Sequence, residues 1–410
     1  MRLSGKLVGI ALAMAPLVGC RARSPVDEWV GMVDTSVLAK ASLKYYWRSK
    51  IKLAEDEVLQ QLWRLDENLY ALTSTGRLVA VEASTGSYKW DRKVGGPAQK
   101  IFAPCHADNV SLPMPIASPE APEIKVPQPY DIVVINTLTY ALVIDRGSGE
   151  LLRKIEFPFA ANTASSSDRT NLFVGSVEGW YYALILRNGL RRWAMSTGDM
   201  ITARPVAFDR GLYVASQDGK FYAVLPENED ERHLWTQGTD GPLTAEFVVD
   251  RRGCFVPSQD YKLYAYEIHT GQELWTFRTQ GPLMRPVQVG QRSVYQLADK
   301  DRFYAIDLAN GGKRWESTEV EAVLATTETR ALAGVAHEDQ PYVFAVSPDR
   351  HLLVIPEMLG EVEIRLPLTG LELFVPNAIK PVIYAGTSAG KLVCITPSST
   401  RYLDAAALED

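Results

Sequence analysis

Apolar and polar positions along the chain predict β-hairpins from end to end. The run LYVASQDGKFYAVL, from Leu212, sets two alternating apolar stretches around Gln217-Asp218-Gly219. Alternation with a period of two indicates strands, and a glycine supplies the positive φ that a tight hairpin turn needs. Similar hairpins begin near Leu69, Ile132, Leu172, Leu212, Phe255, Val294, Val343 and Ile383. The pattern therefore predicts an all-β chain with eight hairpins.

A second pattern, an alanine and a tryptophan at a fixed distance, follows most hairpins. It occurs in AVEASTGSYKW, in AYEIHTGQELW and in AIDLANGGKRW. Trp193, Trp235, Trp275 and Trp315 lie 42, 40 and 40 residues apart. This period is typical of a β-propeller blade of roughly 40–45 residues. We interpret the tryptophans as structural residues that pack one blade on the next. A cofactor-stacking platform is the alternative, and it would need them at the central channel.

The number of outer strands matches the number of hairpins. Outer-strand positions fall at Trp47, Trp90, Arg153, Trp193, Trp235, Trp275, Trp315 and Ile364. The last hairpin, Pro381 to Thr396, lacks a following outer strand, whereas the first outer strand, Leu43 to Leu53, lacks a preceding hairpin. The two ends together complete one blade and leave no free β edge. We predict an eight-bladed β-propeller of four-stranded antiparallel blades over residues 43–397, closed by the N- and C-terminal segments, with 398–410 as a tail.

The N-terminus has the pattern of a secretion signal. Arg2 and Lys6 precede the apolar run LVGIALAMAPLVG, which is too short for a membrane-spanning helix of about 20 apolar residues. Leu17-Val18-Gly19-Cys20 is similar to a bacterial lipobox. We therefore predict a lipoprotein signal peptide over residues 1–19 and lipidation of Cys20. An ordinary secretory signal with a chance cysteine is the alternative.

Residues 20–42 are then a lipid-anchored tether. The apolar spacing from Val26 to Ala41 predicts a short amphipathic helix, which either packs on the propeller or spaces it from the membrane. Arg21 stands where an aspartate would favour retention at the inner membrane. The expected location is the outer membrane, facing the periplasm.

Charge and cysteine usage agree with a secreted domain. Cleavage of the predicted signal peptide would remove Arg2 and Lys6. The mature chain would then have 41 of the 43 basic residues against 49 acidic ones, a net charge of about −8. This balance argues against nucleic acid as the main partner. Besides Cys20, the chain has three cysteines, Cys105, Cys254 and Cys394. Because this number is odd, the sequence does not require a disulfide framework. The oligomeric state stays open.

A proline-rich insertion over residues 104–129 interrupts the period. Its prolines predict an extended loop, either a tolerated surface insertion or a contact site. Cys105 lies at its head with His106 and Asp108, but a single Cys-His pair lacks the four-ligand spacing of a zinc site. We predict no metal site.

Over about Leu43 to Thr396, the Asp-Gly hairpins, the Ala-to-Trp motifs and the eightfold count resemble PQQ-like β-propeller repeat proteins, which include BamB-type lipoproteins of the outer-membrane barrel assembly machinery. The resemblance implies the fold but leaves the activity open, because the family includes quinoprotein dehydrogenases, sensor domains and non-catalytic scaffolds. A quinoprotein would be expected to have an adjacent Cys-Cys disulfide over its cofactor and calcium ligands beside a catalytic aspartate. No two cysteines are adjacent here, and the five histidines are scattered among blades.

We therefore predict a non-enzymatic chain with no catalytic residues and no cofactor. It would act as a scaffold for a protein partner in the cell envelope. The most specific version of this prediction is a role in outer-membrane protein assembly. The alternative is a periplasmic PQQ-dependent oxidoreductase or a sensor that binds a small ligand in the channel. Candidate binding residues are cations expected where innermost strands begin, at the channel rim: Lys100, Arg204, Arg285 and Lys380. Alternatively, each of them is separately solvated or paired with a nearby carboxylate.

Overall fold

The computed structural model describes residues 29–112, 128–227, 232–299, 302–327 and 341–403. Cys20, the predicted signal peptide, most of the proline-rich insertion and the end of the C-terminal tail lie outside these ranges. Within them, the strands form eight four-stranded sheets, each with antiparallel pairing, and the predicted all-β, eight-bladed propeller is confirmed. The first strand of each blade is the innermost, since neighbouring blades contact each other through these strands around the centre.

The elements follow one another blade by blade. Helix α1 (Thr35–Ala39) and strand β1 (Leu43–Lys50) come first in the chain. Blade 1 contains β2 (Leu59–Leu65), β3 (Asn68–Thr73), β4 (Arg77–Glu82) and β5 (Tyr88–Lys93). Blade 2 contains β6 (Cys105–Leu112), β7 (Gln128–Asn136), β8 (Tyr140–Asp145) and β9 (Leu151–Glu156). Blade 3 contains β10 (Ser166–Ser167), β11 (Asn171–Gly175), β12 (Trp180–Ile185) and β13 (Arg191–Ser196). Blade 4 contains β14 (Val206–Phe208), β15 (Gly211–Ala215), β16 (Lys220–Val224) and β17 (His233–Gly238).

The second half repeats the arrangement. Blade 5 contains β18 (Val248–Asp250), β19 (Gly253–Pro257), β20 (Lys262–Tyr266) and β21 (Glu273–Arg278). Blade 6 contains β22 (Gln288–Val289), β23 (Ser293–Ala298), β24 (Arg302–Asp307) and β25 (Lys313–Ser317). Blade 7 contains β26 (Ala322–Thr326), β27 (Tyr342–Val346), β28 (His351–Pro356) and β29 (Ile364–Pro367). Blade 8 contains β30 (Leu373–Phe374), β31 (Ile383–Gly386), β32 (Lys391–Pro397) and, as its outermost strand, β1.

The two ends of the chain close the ring, as the sequence predicts. Strand β1 pairs antiparallel with β32, from Leu43 opposite Pro397 to Lys50 opposite Lys391. Because the outermost strand of blade 8 comes from the N-terminal segment, opening the ring would require separation of β1 from the sheet. The pairing thus protects the edge of the last blade.

The fixed Ala-to-Trp spacing corresponds to a cross-strand pair. In blade 5, for example, Ala265 on the third strand lies opposite Trp275 on the fourth, and a β-bulge follows immediately. The same pairing recurs in other blades as Ala80 with Trp90, Ala183 with Trp193, Ala223 with Trp235, Ala305 with Trp315, and Cys394 with Trp47. A small residue opposite the tryptophan leaves room for the indole on the same face of the sheet.

Two local boundaries differ from the sequence expectations. Within the described part of residues 26–41, the helix covers only Thr35–Ala39, with Asp34 as its N-cap. The head of the predicted insertion is not a loop: Cys105–Leu112 forms β6, which lacks proline and pairs with β7. Pro129 lies in the part of β7 that pairs only with β6, where its missing N–H removes no bond to a third strand. Residues 113–127 lie outside the described ranges.

Candidate functional site

The propeller has two distinct faces. The turn face combines the hairpin turns between second and third strands with the connections that lead from one blade to the next. For example, the amide of Thr239 in such a connection donates to the carbonyl of Gly219 in a hairpin turn, at 2.7 Å. The back face combines the connections from first to second strands with those from third to fourth strands.

The repeated tryptophans make hydrogen bonds between blades. Each indole N–H donates to a main-chain carbonyl of the following blade, at 2.8–3.0 Å. The pairs are Trp47 with Ala83, Trp90 with Arg146, Trp193 with Pro226, Trp235 with Ile268, Trp275 with Leu308, and Trp315 with Glu357. All six side chains are buried, and each is on an outermost strand. Their position away from the channel does not suit a cofactor platform.

Two blades have no tryptophan at this position. Arg153 pairs with Val143 in blade 2, and Ile364 pairs with Val354 in blade 7. At the edge of blade 7, the N-terminal segment supplies apolar contacts, since Val33 and Leu38 belong to one cluster with core residues of blades 7 and 8. The predicted helical segment therefore packs on the propeller over its described residues.

The four predicted rim cations do not form one site. Lys100, Arg204 and Arg285 precede the first strands of blades 2, 4 and 6, on the turn face. Lys380 does not precede an innermost strand: it follows β30, in the connection to β31, and so lies on the back face. A ligand that contacted all four would have to pass through the channel.

Their individual environments also differ. The guanidinium of Arg204 donates through Nη1 to the carbonyl of Pro104, at 3.4 Å. The ammonium of Lys100 lies 4.5 Å from the ring centroid of Phe102. Arg285 is exposed to solvent. These contacts favour separate local roles over a shared anion site.

The residues at the head of the insertion point to different neighbours. Cys105 Sγ lies 3.8 Å from Ser165 Oγ, and burial raises the pKa of its thiol. The His106 ring instead bonds Asp66 through Nδ1, at 2.6 Å, and Tyr70 Oη through Nε2, at 2.8 Å. The strand thus separates the cysteine and the histidine that adjoin in sequence.

A group of potential metal ligands surrounds His106, but it already contains a cation. Asp66, Glu67 and His106 place one ligand atom each within 4.8 Å of one another. The guanidinium of Arg146 pairs with Glu67 at 3.2 Å and with Asp108 at 2.7 Å. Since the Arg146 guanidinium lies between these carboxylates and pairs with them, the cluster is explained as a structural ion-pair network. The hydrogen bond from His106 lowers the pKa of Asp66.

An apolar patch lies on the turn face, which the sequence pattern did not predict. Leu138 and Val177, in the hairpin turns of blades 2 and 3, are 37% and 39% exposed, and Trp180, the first residue of β12, is 40% exposed. The connection between these blades joins them, because the amide of Ala161 donates to the Leu138 carbonyl and the amide of Val177 to the Ala160 carbonyl. Trp180 is one signal that could have indicated the patch, since it falls outside the repeated tryptophan position.

Within the described part of the chain, no helix has the length and apolar character needed to cross a membrane. The described histidines lie in four different blades: His106, His233, His269 and His351. The three described cysteines are free and buried. A buried thiol is a poor nucleophile because burial disfavours the thiolate.

The comparisons with known proteins agree with the architecture. A family model described as "Outer membrane protein assembly factor BamB" matches residues 225–350. BamB from Moraxella catarrhalis has a similar structure, with a TM-score of 0.61, 15% identity, and coverage of 88% of this chain and 99% of that chain. The computationally designed Ika8 protein gives a TM-score of 0.58 and 12% identity, covering 85% of this chain and 98% of that one. No curated protein sequence matches. At such identities the structural likeness shows the fold, and together with the family model it confirms the resemblance to PQQ-like β-propellers of the BamB type.

Proposed function

We propose that the chain is a non-catalytic, lipid-anchored scaffold that binds a protein partner at the bacterial cell envelope, in the assembly of outer-membrane proteins. The observation that carries the proposal is the match of residues 225–350 to a model for an outer membrane protein assembly factor. The eight-bladed fold supports it, because the likeness extends over 99% of the BamB chain.

The patch of Leu138, Val177 and Trp180 on the turn face is the proposed docking surface. Aromatic and apolar side chains are enriched in the buried core of protein interfaces, and tryptophan is a frequent hot-spot residue. Charged residues flank the patch, with Glu178 between Val177 and Trp180 in sequence and Asp199 in the next connection. The arrangement suits a protein partner that offers a complementary apolar surface with a polar rim.

The N-terminal segment would hold the propeller close to the membrane. Trp29 contacts two cations: the guanidinium of Arg48 at 5.0 Å and the ammonium of Lys391 at 5.8 Å from its ring. The chain from Cys20 to Trp29 spans at most about 30 Å when fully extended. If Cys20 carries the lipid, the propeller lies within that distance of the bilayer surface.

The assembly role is testable in the native bacterium. Deleting the gene should lower the amount of folded outer-membrane β-barrel proteins, which is measured by their heat-modifiable mobility in gels. Complementation with the wild-type chain should restore that amount, and complementation with V177D/W180D should not. A matched control is L190D, because Leu190 is 63% exposed but lies on the back face. Normal barrel levels in the deletion strain would contradict the assembly role.

A further inference from the structure

The back face has a cavity at the mouth of the central channel that the proposed docking surface does not use. Its volume is about 740 Å³. The apolar part of its lining comes from the first strands of three consecutive blades and from one long connection in blade 8: Phe208, Val248, Val289 and Ile379. Because the first strands are innermost, this cavity lies at the centre of the propeller and not in a cleft between outer strands.

The connection that contributes Ile379 is hydrogen-bonded to the neighbouring blade. The amide of Asn377 donates to the carbonyl of Val323, at 3.0 Å, and the amide of Thr326 donates to the carbonyl of Lys380, at 3.2 Å. Both bonds join blade 8 to the first strand of blade 7. The apolar floor is therefore preorganised, so a ligand would not have to order it on binding.

The rim of the cavity is basic. Arg251 and Arg252 line it together with Asp250, whose Oδ1 accepts a hydrogen bond from the amide of Arg252 at 2.7 Å. The Arg252 side chain is anchored, since it pairs with Asp250 and donates through Nη1 to the Gly290 carbonyl at 2.5 Å. Arg251 is exposed, and it has no ion-pair partner among the described residues.

The same turn position carries an arginine in neighbouring blades. Arg169 and Arg210 occupy the turns between first and second strands of blades 3 and 4, and both are exposed. Each follows an aspartate, and the Asp168 carboxylate bonds the amides of its own turn, at 2.6 Å to Thr170. Lys380, next to Ile379, adds a further cation without an ion-pair partner among described residues. Counting Arg252, the residues named in these turns and Lys380 make five cations against three aspartates, a net charge of +2 beside the apolar floor.

We propose that this cavity, hereafter the basic cavity, binds an acidic segment of a partner protein. A large apolar side chain of the segment would fill the space over Phe208 and Ile379, while its flanking carboxylates pair with Arg251 and Lys380. Arginine suits carboxylate recognition because its planar guanidinium offers paired donors. A protein segment fits better than a membrane surface, because the apolar residues line a concavity and do not protrude toward a flat bilayer.

This inference does not rest on the assembly role. The basic cavity and the patch around Trp180 are on opposite faces, so occupation of one leaves the other accessible. Electrostatic complementarity would set specificity and the association rate at the basic cavity. The scaffold could then hold two proteins at once, one on each face.

Fluorescence anisotropy tests the proposal with a defined probe, the fluorescein-labelled peptide Gly-Glu-Asp-Phe-Glu-Asp-Gly. The chain without residues 1–20 should bind it saturably, and the affinity should fall as salt rises. R251E should weaken binding by about tenfold or more, as expected for charge reversal at a close pair. I379D should do the same by making the floor polar. The control R191E makes the same charge change at an exposed position of the outer strand β13, and it should leave the affinity unchanged.

Several outcomes would overturn the proposal. They are the absence of saturable binding, equal binding by R251E and wild type when both have wild-type thermal midpoints, and equal binding of Gly-Lys-Arg-Phe-Lys-Arg-Gly. Sedimentation with phosphatidylglycerol vesicles tests the membrane alternative. Vesicle binding that R251E abolishes, without peptide binding, would assign the basic cavity to anionic lipid and contradict a protein ligand.

Discussion

The indole ring of Trp235 packs against Gly271 of the next blade so closely that a β-carbon on Gly271 would lie 2.6 Å from Cδ2 of the indole. Gly271 also has a φ of +72°, a conformation that side chains disfavour. The same relationship joins Trp47 to Gly86, Trp90 to Gly149, Trp275 to Gly311, and Trp315 to Gly360. The glycine in the turn and the tryptophan of the preceding blade thus form one inter-blade contact.

G271A should therefore destabilise the propeller in two ways. The left-handed backbone costs about 1–2 kcal/mol for a residue with a β-carbon, and the overlap with Trp235 adds about 1–3 kcal/mol of overpacking. The matched control is G189A, because Gly189 has a φ of +75° but its β-carbon would lie 3.4 Å from Ile155, an ordinary contact. Urea unfolding, followed by circular dichroism, measures the free energy of unfolding of G271A and of G189A. Equal losses would show that the indole contact adds nothing.

The blade architecture could be predicted because one local motif records a tertiary contact. The alanine and the tryptophan at the ends of the motif are cross-strand partners, as Ala265 and Trp275 show. Any blade with that pair therefore repeats both the sequence spacing of the motif and its alanine and tryptophan residues. Closure by β1 could be predicted as well, since a strand without a hairpin and a hairpin without a strand stand at opposite ends of the chain.

The candidate binding residues were harder to predict, because their position depends on short elements with no periodic signal. Lys380-Pro381 looks like Arg285-Pro286 in sequence, but the first strand of blade 8 is only Leu373–Phe374 and precedes Lys380. No alternation marks a strand of two residues. The exposure of Trp180 likewise depends on how blades 2 and 3 meet, which a single-sequence pattern does not contain.

Glu57 should make stability depend on acid pH. Its side chain is 2% exposed, lies 2.8 Å from Arg77 Nη2 and accepts a hydrogen bond from Thr75 Oγ1 at 2.7 Å. These contacts, with that to Arg77 the largest, hold the pKa of the Glu57 carboxyl well below its usual range. A carboxyl with a lowered pKa in the folded state stabilises that state above its unfolded pKa of about 4.3, and the contribution is lost as the pH falls further.

E57Q should consequently cost about 1–3 kcal/mol at pH 7, and less at pH 3. The control E55Q alters an exposed neighbour and should change the free energy of unfolding little at either pH. Urea titrations at the two pH values provide the comparison. A penalty for E57Q that stayed the same at pH 3 would contradict the assignment of the effect to carboxylate ionisation.

A non-catalytic scaffold should not turn over quinoprotein substrates. We expect the chain without residues 1–20 to show no dye-linked alcohol oxidation with added pyrroloquinoline quinone and calcium, measured beside an active quinoprotein as positive control. The described cysteines Cys105, Cys254 and Cys394 are buried separately in different blades, so they form no disulfide cover over a cofactor. Turnover above the level without protein would favour the oxidoreductase alternative.

The proposed anchor predicts that C20A moves the chain from the membrane fraction to the soluble periplasmic fraction. Each buried methylene of a lipid chain contributes about 0.8 kcal/mol, so loss of the acyl chains removes the attachment. C254A serves as the control, because it removes a cysteine buried in the propeller core and should leave the chain in the membrane fraction. Retention of C20A in the membrane would contradict lipidation at Cys20.

Site-specific photo-crosslinking in living cells tests the scaffold proposal most directly. The photoreactive residue p-benzoylphenylalanine replaces Trp180 on the turn face or, as a control, Leu190 on the back face, and mass spectrometry identifies the adducts. We expect the probe at position 180, but not at 190, to crosslink to a protein of the outer-membrane assembly machinery. No protein adduct at position 180, or the same adducts at both positions, would contradict the scaffold proposal.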